Sequence, residues 1–400
     1  MLNIDRLREE TPACSELIHF NNAGASLQPQ SVTDAVLQYL TLEQRLGGYE
    51  AAEAQHQASE HFYTAVAGLL NCNPREVAYA ENSTRAWNLL LHAIAFEPGE
   101  RIIIGESEYA SNYLSLLELA HRHQVNIEVI NNDDNGLISL QALEQRLDEN
   151  VRLIALTHVA SQNGVIQPVA EVGKLARKHN ILYLIDACQS AGQLHIDVND
   201  INCDMLTASG RKYLRGPRGT GFMYVRHSVL NYLKPDAPDL QSVIWTSRDQ
   251  FSWRDDARRF ELWEHNVAAR IGLTVAADYA TALGVSNIEK RIKTLANELR
   301  CKLSELPRVQ IHDQAFATDS ETALNILGGI VSFSVKNADA VKLQTHLRQH
   351  RINTSVIRRN NTRLEFEVRD LPDINRASVH YFNTSAEIDA FCQAVRTFQV

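Results

Sequence analysis

Between Val77 and Val225 the chain alternates short apolar runs with helix-patterned segments, and this alternation restricts the fold more than any other feature. The seven runs are Val77–Ala80, Arg101–Gly105, Ile127–Ile130, Leu153–Thr157, Ile181–Ile185, Met205–Ala208 and Phe222–Val225. Each is four or five residues long and bounded by turn residues, as suits strands buried on both faces. Helical spacing fills the gaps, over Ser139–Leu147, Val169–His179 and an apolar segment from 86 to 95. Such alternation predicts an α/β architecture, a mostly parallel seven-stranded sheet sandwiched by helices. Open α/β sheets bind ligands beyond the carboxyl ends of their strands, so chemistry is expected just after each run.

The flanking segments read differently. Pro29 opens a helix, Gly47-Gly48-Tyr49 interrupts it, and one long Ala-rich helix then runs to about Leu70. Residues 231–262 read as irregular, aromatic and charged. A helix from Glu264-His265-Asn266 to Leu283, another over 288–306, short strands from Val309 and a helix over 338–350 suggest a small α+β domain. The expected organisation is therefore an N-terminal segment, 1–25, packing with the small domain, a large domain, 26–270, and the small C-terminal domain, 271–400.

Composition excludes several functions. A formal net charge of −9 argues against nucleic acid as a partner. No run of 18 apolar residues exists to span a membrane, and the first residues lack the apolar core of a secretory signal. The six cysteines are scattered without a CxxC pair, which fits a reduced, cytoplasmic protein with no structural zinc or other metal site.

Two strand ends carry chemistry. Asp186 closes one apolar run, with Gln189 three residues on, and Ser209-Gly210-Arg211-Lys212 follows another, ahead of a glycine-rich turn over 216–221. A carboxylate buried alone is costly, so Asp186 calls for a cationic partner. Lys212 is either a solvated lysine before a glycine turn or, with small and cationic neighbours that would depress its pKa, a nucleophile toward a carbonyl. Ser83-Thr84, after the first strand, either caps a helix or offers its N-terminus to an anion, and Ser209 with Arg211 forms a second anion site. An aldehyde, a ring nitrogen that wants a carboxylate and a phosphate would answer all three demands, and pyridoxal 5'-phosphate (PLP) combines them.

These segments together resemble the class V, cysteine-desulfurase-like group of fold-type I PLP-dependent transferases, from Asn21-Asn22-Ala23-Gly24 to Arg376. The resemblance implies that Lys212 is the Schiff-base lysine, that Asp186 pairs with the pyridine N–H and that Gln189 bonds the phenolic oxygen. It implies that Tyr109 covers the cofactor ring as a catalytic residue and that Ser161 lies near a cofactor oxygen. Ser83, Thr84, Ser209 and Arg211 fall on its phosphate-binding positions. Arg376 falls on the arginine that clamps the α-carboxylate of a small amino-acid substrate, with Asn22, Ala23, Gly24 and Tyr49 lining the substrate site. The family pattern also implies a homodimer, in which Glu264, His265 and Asn266 either reach the partner's phosphate or simply cap a helix.

The reaction is less constrained. Persulfide-forming desulfurases carry a nucleophilic cysteine on a small-domain loop, but no cysteine lies between Cys301 and Cys392, and residues 352–363 are basic. Residues 47–53 and 261–270, with Arg211-Lys212, resemble the ergothioneine-pathway C–S lyases, which cleave hercynylcysteine sulfoxide. The expected activity is β-elimination from a cysteine conjugate or cysteine sulfoxide. The alternatives are a class V aminotransferase, an epimerase, or a catalytically inactive relative acting as a regulator, which retention of Lys212 and Asp186 argues against.

Overall fold

Successive residues of a strand point to opposite faces, and this chain buries both. In the strand Leu182–Asp186, Tyr183 and Ile185 enter one core while Leu184 enters the other. In Val151–Thr157, Ile154 and Leu156 join the first core, and Leu153 and Ala155 the second. Double burial explains why these runs are apolar throughout.

The computed structural model describes residues 2–313 and 325–399; of the range assigned to the small domain, 314–324 and 400 lie outside the described residues. The large sheet contains β1 (Val77–Ala80), β2 (Arg101–Gly105), β3 (Asn126–Ile130), β4 (Val151–Thr157), β5 (Leu182–Asp186), β6 (Met205–Ser209) and β7 (Gly221–Val225). Their order is β1-β7-β6-β5-β4-β2-β3. Only β7 runs against its neighbours, pairing antiparallel with β1 and β6. The helices Ser83–Ala93, Ala110–His123 and Val169–His179 cover the sheet.

A second, antiparallel sheet holds β8 (Val309–Ile311), β9 (Ile330–Val335), β10 (Ser355–Ile357) and β11 (Ile374–Ser378) in the order β8-β9-β11-β10. The helices Ala340–Gln349 and Ser385–Thr397 accompany it. The N-terminal segment contacts this region: Ile18–His19 pairs in parallel with Ile352–Asn353, and Arg8 reaches Glu387 at 2.8 Å. Among the described residues no helix is long and apolar enough to cross a membrane.

Three local expectations need correction. The segment 231–262 contains a hairpin, Val243–Ser247 paired with Gln250–Trp253. The expected long helix to Leu70 is two helices, Gly48–Ala54 and His56–Leu70, preceded by Gly47 at φ 99°. The helix after β1 begins at Ser83 rather than at Ala86, because the Asn82 side chain accepts the Arg85 N–H at 2.8 Å and caps it there.

Candidate active site

Register places one polar row at the carboxyl edge of the sheet: Asp186 of β5 lies between Thr157 of β4 and Thr207 of β6. One strand farther, Ser209 lies opposite Gly221. Gly221 is required there, since a Cβ would meet the Ala208 carbonyl oxygen at 2.7 Å and backbone of Asn82 at 2.9 Å. That close approach brings the start of the Ser83–Ala93 helix against β6 and β7, and the Ser83 hydroxyl lies 3.2 Å from that of Thr207. Ser83 is buried and Thr84 is exposed.

Lys212 follows β6 in a turn fixed by backbone bonds from Arg215 N–H to its carbonyl at 2.9 Å and from Gly216 N–H to Gly210 at 2.8 Å. Its amine is buried, 5.7 Å from the centre of the Tyr109 ring. Burial lowers its pKa most; Asp186 and Cys188 oppose the shift, while Arg211 and Arg376 add to it. Tyr109 is partly exposed at the mouth of the helix Ala110–His123.

Asp186 is buried, with one carboxylate oxygen accepting the Cys188 N–H at 2.8 Å and the other the Asn112 side-chain amide at 2.7 Å. Gln189 donates from its amide to the Ala23 carbonyl at 3.1 Å and leaves its oxygen buried and unpartnered. Arg211 donates to the Gly24 carbonyl. Arg376, on β11, is buried; it donates to the Ser161 carbonyl at 2.8 Å, and its Nε has no partner. Desolvation brings the Arg376 pKa down to about 10, still well above neutrality.

Some predicted residues serve other ends. The Asn22 side chain is fully engaged: its amide donates to the carbonyls of His19 and Ser378 at 3.1 and 2.8 Å, and its oxygen accepts the Ser26 hydroxyl at 2.7 Å. The Ala23 N–H goes to the Ser378 hydroxyl at 2.9 Å. Residues 22–24 therefore act as a strap between the Lys212 turn and β11. Tyr49 lies elsewhere within the chain: it is 78% exposed and lines a separate cavity of about 950 Å³ with Trp263, Glu264, His265 and Asn266. Asn266 caps the helix Val267–Leu283, accepting the Ala269 N–H at 2.8 Å.

Sequence reading missed Glu108 and Asn112 as site residues. Both are buried, and Glu108 accepts hydrogen bonds from Asn112, Thr157 and the backbone of Tyr109. The signal available was an acid just beyond the end of β2, the position that singled out Asp186 on β5.

The residues converging here suit PLP. Gln189 Oε1, Ser209 Oγ and Arg376 Nε are buried polar atoms without partners, which native proteins rarely tolerate unless a bound group completes them. Arg211 and the start of the helix at Ser83 are cationic and N–H-rich, as a phosphate requires.

Comparison with known proteins gives the family and the fold. Residues 18–391 match the family described as Aminotransferase class-V. A probable cysteine desulfurase of Methanothermobacter thermautotrophicus is 27% identical over 412 residues, spanning 97% of this chain and 96% of its own. The apo structure of a cysteine desulfurase from Thermococcus onnurineus NA1 superposes with a TM-score of 0.90 at 26% identity, covering 99% of this chain and 98% of its own. The cystine C–S lyase C-DES, solved with its product cysteine persulfide, superposes with a TM-score of 0.85 at 22% identity, covering 97% and 99% of the two chains, and so shares the fold.

Proposed function

Because the chain belongs to the aminotransferase class-V family, we propose that it is a lyase cleaving the C–S bond of a cysteine conjugate or cysteine sulfoxide by β-elimination. It is a PLP-dependent enzyme of the cysteine-desulfurase-like kind. The observation that carries the choice of elimination is the missing persulfide acceptor. No cysteine lies between Cys301 and Cys392. Cys188 neighbours Lys212, but it is buried and its thiol is pushed up to about 11, which leaves little thiolate to attack sulfur.

In this reading Asp186 would hold the ring nitrogen, Gln189 the phenolic oxygen, Lys212 the aldehyde carbon, and Ser83, Thr84, Ser209 and Arg211 the phosphate, with Tyr109 over the ring. When bound, the cofactor supplies an electron sink for negative charge at the substrate Cα. Arg376 orients the substrate through its α-carboxylate, for which its fork-shaped donor array is suited. Lys212, biased toward the neutral amine, is placed to take the Cα proton. The C–S bond then breaks with the electron pair leaving on sulfur. The departing group takes up a proton, and hydrolysis of the three-carbon remainder releases pyruvate and ammonia.

Two further parts of the reading rest on likeness. Residues 47–53 and 261–270 make hercynylcysteine sulfoxide the first substrate to try. The exposed Leu37, Leu40, Tyr49 and Trp263 favour a second copy of the chain packed over the cavity that Tyr49 lines, which would bring Glu264–Asn266 to the partner. Sedimentation of the holoenzyme tests the dimer, and a monomer at micromolar concentration removes it.

The reaction is tested by incubating the holoenzyme with S-substituted cysteines and their sulfoxides without any keto acid. Elimination yields pyruvate and ammonia over many turnovers. Alanine as the product would indicate desulfuration, and a halt after one turnover with the cofactor in its amine form would indicate transamination; either result overturns the proposal.

A further inference from the structure

A buried carboxyl with no cation beside it sits behind the candidate site. Glu108 lies between β2 and the helix Ala110–His123 and is 3% exposed. One of its oxygens accepts the Tyr109 N–H at 2.8 Å, the Asn112 amide at 2.9 Å and the Thr157 hydroxyl. Asn112, one helical turn on and 2% exposed, uses the same amide nitrogen to reach Asp186 at 2.7 Å. Glu108 forms no ion pair among the described residues. Burying a carboxyl in this way costs more than burying an apolar side chain would, so its hydrogen bonds are what the site gains from it.

We propose that Glu108 and Asn112 are positioning residues that hold two groups at once, Asp186 through the Asn112 amide and Tyr109 through its backbone N–H. The inference rests on the reading of Asp186 as the partner of the cofactor ring nitrogen and adds what keeps it there. The Asp186 carboxylate is held at both oxygens, one by the Cys188 N–H and the other by the Asn112 amide. Tyr109 stands at the entry of a helix whose first turn is otherwise uncapped by its own side chain. Thr157 reaches the same Glu108 oxygen from the row that contains Asp186, so helix and sheet are referenced to one atom. Burial first, and then the nearby Asp186, push Glu108 up to about 7.

The test uses holoenzyme of the wild type, Asn112→Ala, Glu108→Ala and Glu108→Gln. The visible absorbance of the bound cofactor is titrated with pH, alongside the rate of cofactor loss and thermal stability. Loosening Asp186 changes how firmly the ring nitrogen stays protonated. Asn112→Ala and Glu108→Ala are therefore expected to move the pKa of the visible band by about one unit, the scale of a changed charged neighbour, and to hasten cofactor loss. Glu108→Gln keeps an acceptor oxygen in place and is expected to retain the wild-type titration. Unshifted bands in Asn112→Ala and Glu108→Ala, or Glu108→Gln shifting as far as Glu108→Ala, overturn the proposal. If Glu108→Ala fails to fold, Asn112→Ala and Glu108→Gln still decide it. A wild-type protein that shows no such band with PLP would instead remove the cofactor assignment of Asp186, a separate outcome.

Discussion

Lys212 and Arg376 are both buried basic side chains, and neither forms an ion pair among the described residues. Desolvation lowers both, but with different consequences. The lysine moves toward a usable base, whereas the arginine, at about 10, keeps its charge near neutral pH and waits for an anion. Lys212→Ala should abolish the visible absorbance of the PLP-loaded protein, read by spectrophotometry; an unchanged spectrum would contradict its role. Arg376→Ala should raise KM for carboxylate substrates by roughly 10- to 100-fold, the equivalent of one charge-assisted interaction, with a smaller effect on kcat. Arg376→Lys should recover only part of that, since a lysine cannot present two parallel donors. At this scale the sequence disclosed Asp186 and Lys212 because each ends or follows an apolar run. It did not disclose Glu108 or Asn112. An acid beside a helix start has an ordinary reading in the helix dipole, and what makes Glu108 unusual is Asp186, 78 positions away and adjacent only through sheet register.

Between elements, Glu365 is the hinge pin. It lies in the short helix Arg363–Val368 and is 1% exposed. Its carboxylate accepts Gln162 at 2.6 Å, Asn163 at 2.7 Å, Ser107 at 3.2 Å and Arg369 at 2.5 Å. It therefore ties the loops after β2 and β4 to the segment before β11, next to the Ser161 carbonyl that receives Arg376. Glu365→Ala leaves these donors unpaired in a buried site and should cost about 3 kcal/mol or more, measured as a fall in the urea midpoint. A loss within ordinary surface range would mean that water replaces the carboxylate. Asn266→Ala should cost about 1 kcal/mol, the usual value of a helix cap. Unchanged PLP affinity in that variant would leave Asn266 as a cap only, while a large loss of affinity would support a role at a partner's phosphate. The strands of the large sheet were legible because their double burial leaves no polar alternation to confuse. The hairpin at 243–253 was not, since Ile244, Trp245 and Phe251 are exposed and mark no buried face. The break at Gln55 was equally silent, carrying neither glycine nor proline.

For the whole molecule, acid stability follows from which buried groups change their proton on unfolding. His158 and His312 are each brought down to about 4 by burial, and His380 falls well below its ordinary 6.5 for the same main reason. These three stay neutral when folded and bind a proton only when unfolded, so below pH 6.5 they favour the unfolded chain. Glu108, pushed up to about 7, and Asp313, pushed up to about 6, act in the opposite sense: folded, they hold protons that the unfolded chain releases. His19 and His92 are also lowered, and Glu106 and Asp204 also raised, two groups on each side. Near pH 5.5 the three histidines outnumber Glu108 and Asp313, so unfolding takes up protons on balance and stability falls on acidification. Urea midpoints of the cofactor-free protein between pH 6.5 and 5 should therefore fall as pH falls. Glu108→Gln should steepen that fall, because it removes one of the opposing carboxyls, and replacing His158 by Asn should flatten it. A midpoint that rises on acidification would mean that the buried carboxyls outweigh the histidines.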